Sequence, residues 1–393
     1  MITEHSVHLK RGKDAPVRRF HPWIFSGAIY QQSPNLQDGD WVNVLSDKDE
    51  FLGLGHYHAG SIAVKIVSFT PVTDLQDLWV HKIARAWELR QQLNFTDTNA
   101  FRLIHGEGDG CPGLIIDVYQ DVFVFQAHTI GMYRNREAIV NALKIVFGDL
   151  LKAVYDKSKE TLPPNFAANC QNDYLFGTAT VPHEIQENGV HFSVNWVTGQ
   201  KTGFFLDQRD NRALLAHYAK DKHILNTFCY SGGFSLYALK AGAASVISLD
   251  ASAKAIDLVN ANISLNKFGK KKHEAIVGET LPYLKNNQDE FDIIILDPPA
   301  FAKSISTKHK ALQGYQKINQ LAIQQIKKNG LIFTYSCSQV ITRDLFLNML
   351  VAAGIAAGRE IQVIHQMTQA PDHPINLFHP ESNYLKGFVL RVI

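Results

Sequence analysis

The stretch Ile224–Ser252, ILNTFCYSGGFSLYALKAGAASVISLDAS, leaves this chain few folds to choose from. A short apolar run, Ile224–Phe228, meets the turn Cys229-Tyr230-Ser231-Gly232-Gly233. Apolar residues then recur at helical spacing from Phe234 to Leu239, Gly242 stops that helix, and Val246–Leu249 runs into Asp250. Strand, glycine turn, helix and acid-tipped strand form one parallel crossover unit. In a doubly wound sheet such a turn exposes backbone N–H groups to a ligand, and the acid accepts from ribose hydroxyls. The expected ligand is a nucleoside.

A dinucleotide site needs G-x-G-x-x-G, so that backbone can lie against a pyrophosphate. Here two adjacent glycines are followed by bulky Phe234, which leaves little room for a diphosphate. S-adenosylmethionine carries ribose and adenine without phosphate, and one close-approach turn suffices for it. That cofactor is favoured over NAD. The alternative is a glycine turn that only packs helix on strand.

From Val190 onward the pattern extends this unit. Strands are predicted at Ile224–Phe228, Val246–Leu249, Ala275–Val277, Ile293–Leu296 and Leu331–Tyr335, with helices between them. Alternation of this kind means an α/β fold with a parallel sheet and right-handed crossovers. Ile361–Ile364 and Gly387–Val392 have no helical segment between them, so an antiparallel pair is expected at the edge. Two other modules precede this one. Trp41–Leu45 and Phe51–Tyr57 read as a hairpin around the turn residues Ser46–Asp49, and Ile62–Phe69 as a further strand. After a linker at Pro71–Asp74, Leu75, Leu78, Trp79, Ile83, Ala86 and Trp87 share one helical face. Strands at Gly113–Val118, Val122–Ala127 and Ala153–Tyr155, a helix at Asn135–Phe147 and an irregular loop over Asn165–Asp173 make that segment α+β. The boundaries expected are 1–72, 73–190 and 191–393.

Composition closes off other classes. With 46% hydrophobic and 19% charged residues the chain is neither disordered nor membrane-spanning, since no apolar run nears the roughly 20 residues a bilayer needs. The four cysteines, Cys111, Cys170, Cys229 and Cys337, are far apart and lack metal-ligand spacing, so no resident metal is expected. Reduced thiols and a start without an apolar signal segment suggest the cytoplasm. The loop Gly106–Gly113 is glycine-rich but lacks the Gly-Lys-Ser/Thr of a triphosphate site. A net charge of +2 does not argue for nucleic acid by itself. Lys10, Arg11, Lys13, Arg18 and Arg19 nevertheless crowd the start beside His21 and Trp23, which suits RNA as well as it suits a solvated edge.

Ligands in doubly wound sheets bind at the carboxyl ends of strands. Those ends carry Tyr230–Gly233, Asp250, Asp297-Pro298-Pro299 and Ser336-Cys337-Ser338. Glu279 follows the third strand, as an adenine partner or a first-turn helix acid. Asp297 follows Ile-Ile-Ile-Leu and is held by two prolines at the sheet mouth. Cys337 is either a small buried hydrophobe or a nucleophile.

His21-Pro22-Trp23-Ile24-Phe25-Ser26-Gly27, Lys201–Arg209 (KTGFFLDQR), Tyr230-Ser231-Gly232-Gly233-Phe234, Asp297-Pro298-Pro299 and Ser336-Cys337-Ser338 occur in that order. With the ending Asp372-His373-Pro374 and Tyr384–Phe388, the chain resembles, over essentially its whole length, the RlmI-like ribosomal RNA large-subunit methyltransferases. The resemblance implies a PUA RNA-binding domain, a central α+β domain and a Rossmann-like methyltransferase domain. It implies S-adenosylmethionine held by Thr202, Phe204, Arg209, Phe228, Tyr230, Ser231, Gly232, Asp250, Glu279 and Asp297. RNA contacts fall to Lys10, Arg11, Arg18, Arg19, His21 and Trp23. Activity would be methylation of cytosine C5 in 23S rRNA, with Cys337 as nucleophile and Asp297 near N3, the base for the C5 proton being unassigned. Ala300 and Gln339 stand where the family often has Lys and Gly. Methylation of a guanine nitrogen, or an RNA-binding assembly factor without catalysis, are the competing readings, and a homodimer is left open.

Overall fold

The computed structural model describes residues 2–268, 272–287, 290–302 and 304–393. The chain divides into two compact units. Residues 1–185, 194–206 and 371–382 form the first, and residues 186–193, 207–370 and 383–393 the second.

The first unit contains two sheets among the described residues. One has six strands, Ser6–Leu9, Trp23–Phe25, Ile29–Gln32, Trp41–Leu45, Phe51–Tyr57 and Ile62–Ser68. Its hairpin pairs as expected, with Asn43 opposite Leu54 and the Ser46 N–H donating to the Glu50 carbonyl at 2.9 Å. Alternate residues Val7, Leu9, Val42, Val44, Val64 and Ile66 fill its core. The other sheet has five strands, Ala100–His105, Leu114–Tyr119, Val122–Ala127, Ala153–Asp156 and Asp173–Phe176. The helix Leu75–Gln92 buries Trp79, Ile83 and Ala86 and is capped by Asp74, whose carboxylate accepts from the Gln76 and Asp77 N–H groups.

Three elements here were not legible beforehand. The strand Ala100–His105 carries Arg102 in the middle of an apolar run, and Arg102 is accommodated because its guanidinium forks onto Asp117 of the next strand at 2.7 and 2.9 Å. A short helix, Pro164–Ala167, replaces part of the expected irregular loop, with proline in its first turn where the missing N–H costs nothing. Asp173–Phe176 then pairs antiparallel with Ala153–Asp156.

The second unit is built in chain order from α1 (Arg209–Tyr218), β1 (His223–Thr227), α2 (Gly233–Lys240), β2 (Ser245–Asp250), α3 (Ala253–Leu265), β3 (His273–Val277) and α4 (Thr280–Asn286). It continues with β4 (Phe291–Leu296), α5 (Lys308–Gln325), β5 (Ile326–Ser336), α6 (Arg343–Ala357), β6 (Ile361–Met367) and β7 (Lys386–Val392). The sheet order is β3-β2-β1-β4-β5-β7-β6. β1 to β5 are parallel, and β7 runs antiparallel between β5 and β6. Ile293–Leu296 is wholly buried, as expected of a strand covered on both faces.

Register fixes what the sheet presents at its carboxyl edge. Thr227 pairs with Leu249 and with Leu296, and Leu296 pairs with Thr334. The next residues, Phe228, Asp250, Asp297 and Tyr335, therefore stand at one level across four neighbouring strands. With strands about 4.8 Å apart, this row marks the carboxyl edge of the sheet, where ligands of doubly wound sheets bind, and Cys337 follows it by two residues.

Candidate active site

The turn between β1 and α2 is wound tightly. Phe228, Tyr230 and Gly232 have φ of 54°, 46° and 81°, so two non-glycine residues adopt the left-handed conformation within one turn. Such strain persists only where surroundings impose it. Asp250 is part of what imposes it. One carboxylate oxygen accepts the Tyr230 N–H at 3.0 Å and the other accepts the Ser252 N–H at 2.9 Å. Each oxygen keeps a further lone pair, the acceptors a ribose diol needs. Asn262 of α3 holds the Ser231 carbonyl at 2.9 Å. The two glycines do different jobs. Gly232 supplies the left-handed φ, whereas a Cβ on Gly233 would stand 2.9 Å from Arg212 Cδ. Only the first is a matter of backbone conformation. The second is packing.

Arg212 belongs to a buried charge cluster. Glu187 accepts from Arg212 Nε and Nη2 at 2.8 and 2.7 Å and from the Tyr237 hydroxyl at 2.9 Å, and Arg209 Nε lies 3.6 Å away. Arg209, expected at the cofactor, is thus buried with its charge directed at Glu187. Burial and the Glu187 charge raise the Tyr237 phenol, which stays protonated.

Asp297 ends β4. Its Oδ2 accepts from Gln208 Nε2 at 3.0 Å, and Gln208 in turn accepts from Asn211 at 2.6 Å. Burial, reinforced by the neighbouring Asp207 carboxylate, pushes the Asp297 carboxyl up to about 7. Asp207 receives the Tyr384 hydroxyl at 2.6 Å on Oδ2. Its other oxygen is buried without a hydrogen bond.

Cys337 is half-buried, and its flanking serines are fully buried. The Ser338 hydroxyl donates to the Ala302 carbonyl at 2.7 Å, which ties the loop after β5 to the one after β4. Lys386 sends its ammonium to the Ser338 and Tyr384 carbonyls, both at 2.6 Å, and burial brings it down to about 8. Burial first, then the charges of Asp297 and Asp207, push the Cys337 thiol up to about 11, while the Lys386 ammonium acts in the opposite direction. Thiol, two carboxyls and one ammonium thus form a single electrostatic group. A proton on Asp297 removes one of the charges that disfavour the thiolate.

Phe228, Tyr230, Ser231, Gly232, Asp250, Asp297 and Cys337 therefore meet at one edge of the second unit's sheet. Glu279 follows β3 and is exposed. Thr202 and Phe204 belong to the first unit, both buried, with the Thr202 hydroxyl donating to Asp117 at 2.5 Å and lying 3.0 Å from the Tyr119 hydroxyl. Asp207, Gln208, Tyr384 and Lys386 were not singled out from the sequence. All four lie inside the strings KTGFFLDQR and Tyr384–Phe388 that carry the resemblance, which was the only signal available.

Among the basic residues of the first unit, Lys10, Arg11, Arg18 and Arg19 are exposed. Arg18 is engaged by Asp14 at 2.6 Å and by Glu50. Trp23 is half-buried, with its indole N–H donating to Glu107 at 2.9 Å. The glycine-rich loop is likewise spent on structure, with Asp109 forked by buried Arg90 at 2.6 and 2.8 Å.

A doubly wound sheet with a strained nucleoside turn, an acid at the next strand and reactive groups across the crevice defines a group-transfer enzyme with a nucleoside cofactor. Residues 7–69 match the model of a PUA-like domain, and residues 101–375 match that of the S-adenosylmethionine-dependent methyltransferases. The ribosomal RNA large subunit methyltransferase I of Pseudoalteromonas atlantica is 41% identical over 395 residues, covering 98% of this chain and 99% of that one. Its namesake from Escherichia coli is 35% identical over 394 residues, covering 98% of each. The chain belongs to the S-adenosylmethionine-dependent methyltransferase family, within the group of large-subunit methyltransferase I proteins. Among solved structures, a methyltransferase-type protein from Streptococcus mutans superposes with a TM-score of 0.84 at 25% identity, over 98% of this chain and all of that one. A structure complexed with S-adenosylhomocysteine superposes with a TM-score of 0.85 at 26% identity and the same coverage. The cofactor is S-adenosylmethionine, and the turn, with Asp250 at its side, fits it.

Proposed function

We propose that this chain methylates C5 of a cytosine in 23S rRNA through a covalent adduct between Cys337 and C6. The single observation that carries the reading is the grouping of Cys337 with Asp297, Asp207 and Lys386 above the strand tips that flank the nucleoside turn. S-adenosylmethionine supplies an electrophilic methyl group on a sulfonium. C5 of cytosine is too weak a nucleophile to take it while the ring is aromatic. The Cys337 thiol first gives up its proton to solvent; its thiolate then adds to C6 while Asp297 delivers its own proton to N3, which makes C5 enamine-like. C5 then bonds to the methyl carbon as the carbon–sulfonium bond breaks. Loss of the C5 proton to a base re-forms the double bond, expels Cys337 as thiolate and returns the N3 proton to Asp297.

A carboxyl raised to about 7 suits that role, because at neutral pH it is available in both protonation states. Lys386 offsets the thiolate charge. Asp250 and the Phe228–Gly232 turn hold the nucleoside part of the cofactor, with Glu279 at the adenine side. The target base must be flipped or unpaired to reach the crevice. The N-terminal module, residues 1–72, contributes RNA contacts through Lys10, Arg11, Arg18 and Arg19, followed by a central domain at 73–190 and the methyltransferase domain at 191–393. The setting for this chemistry is the cytoplasm.

The decisive experiment combines Cys337→Ala with 23S rRNA lacking the modification. Unchanged S-adenosylmethionine affinity by calorimetry with no methyl transfer is the expected result. Retained transfer overturns the covalent reading and directs attention to a base nitrogen, which needs no nucleophile.

A further inference from the structure

We propose that the first unit holds a divalent transition-metal ion, Zn2+ by its donor set, between His21, His379 and Glu381. One ring nitrogen from each histidine and a carboxylate oxygen of Glu381 lie within 4.8 Å of one another, the one such triad among the described residues. His379 Nε2 and the Glu381 carboxylate are 3.7 Å apart. Tetrahedral Zn2+ with bonds near 2.0–2.1 Å asks for ligand atoms about 3.4 Å apart. The triad therefore needs only a small closure, and Glu381, with its side chain 56% exposed, is free to make it.

The independent observation is the state of His379. Its residue is 2% exposed, and both ring nitrogens are buried with no hydrogen-bond partner. An imidazole always carries at least one donor or acceptor that costs free energy when buried unmet. Here the ring is surrounded by what a metal site supplies. Trp23 packs edge-on against it at 4.2 Å between centroids, and His21 stands 5.5 Å away. His21 Nδ1 lies 3.2 Å from the Trp23 carbonyl. The Trp23 N–H stands at the same 3.2 Å from Nδ1, so the ring can offer either nitrogen. In the tautomer whose Nδ1–H donates to the carbonyl, Nε2 keeps its lone pair, the outer-shell arrangement that orients a metal-binding histidine. Glu107, fixed by the Trp23 indole, adds negative charge behind the triad, with Lys65 3.8 Å from it as the opposing cation. Two imidazoles and one carboxylate are borderline ligands that select Zn2+ over Mg2+ or Ca2+. With three protein ligands, the fourth position is left for water.

His21 then serves as a ligand and not as an RNA contact. The ion would pin the segment 371–382 to the N-terminal module, two stretches far apart in the sequence. The sequence hid this because the ligands sit at opposite ends of the chain and involve no cysteine.

The test uses the full-length chain, stripped with a chelator and dialysed against Zn2+, with metal counted by mass spectrometry and affinity by calorimetry. One equivalent is expected. Glu381→Gln, at an exposed position that cannot disturb packing, should weaken binding by at least about tenfold, as should His21→Gln. His379→Phe should abolish it; should that variant misfold, the other two still decide. Co2+ in place of Zn2+ should give the intense visible bands of four-coordinate cobalt, lost in Glu381→Gln. Absence of stoichiometric metal overturns the proposal. So does one equivalent whose affinity is unchanged in Glu381→Gln and His21→Gln, since the ion would then lie elsewhere.

Discussion

Replacing Asp297 by Asn should make the second unit more stable and the enzyme far less active, and the two effects have one origin. The folded protein holds this carboxyl near 7 against an ordinary value of 3.8. Between those values the folded state keeps a proton that the unfolded state has lost. Stability therefore falls as pH rises from about 4 to about 7 and levels off above that. A gap of roughly 3 pKa units corresponds to about 4 kcal/mol of destabilisation at pH 8, an upper figure since both states relax. Asn cannot ionise, and its amide oxygen can still accept from Gln208 Nε2. The variant should thus gain up to about 4 kcal/mol over the native chain at pH 8, and the gain should vanish near pH 4. Tryptophan fluorescence would miss this, because Trp23, Trp41, Trp79, Trp87 and Trp196 all belong to the first unit. Hydrogen exchange of the β4 and β5 amides, compared between variant and native chain at pH 5, 6.5 and 8, reports the right region. Methyl transfer should fall by at least about 100-fold, the usual worth of a placed general acid. A stability difference that does not grow with pH would refute the shifted carboxyl and the role built on it.

Two further substitutions probe the same crevice. Asp207→Asn removes a charge that raises both Asp297 and Cys337, so the pH midpoint for alkylation of Cys337 by iodoacetamide, followed by peptide mass mapping, should move down from about 11. An unmoved midpoint would mean that Asp207 does not act on the thiol. Gly232→Ala forces a Cβ into a φ of 81° and to within 3.0 Å of Leu236 Cδ1, so it should cost at least about 1–2 kcal/mol in thermal unfolding of the second unit and weaken S-adenosylmethionine binding.

The parallel sheet was legible because its strands are short apolar runs at regular intervals, a pattern only fully covered strands can tolerate. The same logic placed Asp250 and Asp297, polar residues directly after the apolar runs Val246–Leu249 and Ile293–Leu296, and it placed Cys337 just past the end of the strand that closes on Tyr335-Ser336. Ala100–His105 escaped because Arg102 breaks its alternation, and its partner Asp117 lies across a strand pairing that composition does not announce. The expected antiparallel pair does close one edge of the sheet, and within it β7 is the inner strand, between β5 and β6. Periodicity says which residues form strands, not the order in which strands pair. What periodicity could not show at all was charge coupling. Asp207 lies before α1 and Lys386 begins β7, yet both act on Cys337. The reactivity of that thiol is therefore a property of the folded topology. A chain with the same Ser-Cys-Ser string at a strand tip, but without this Lys386 and this pair of carboxyls, would have a cysteine in the same place with a different chemistry.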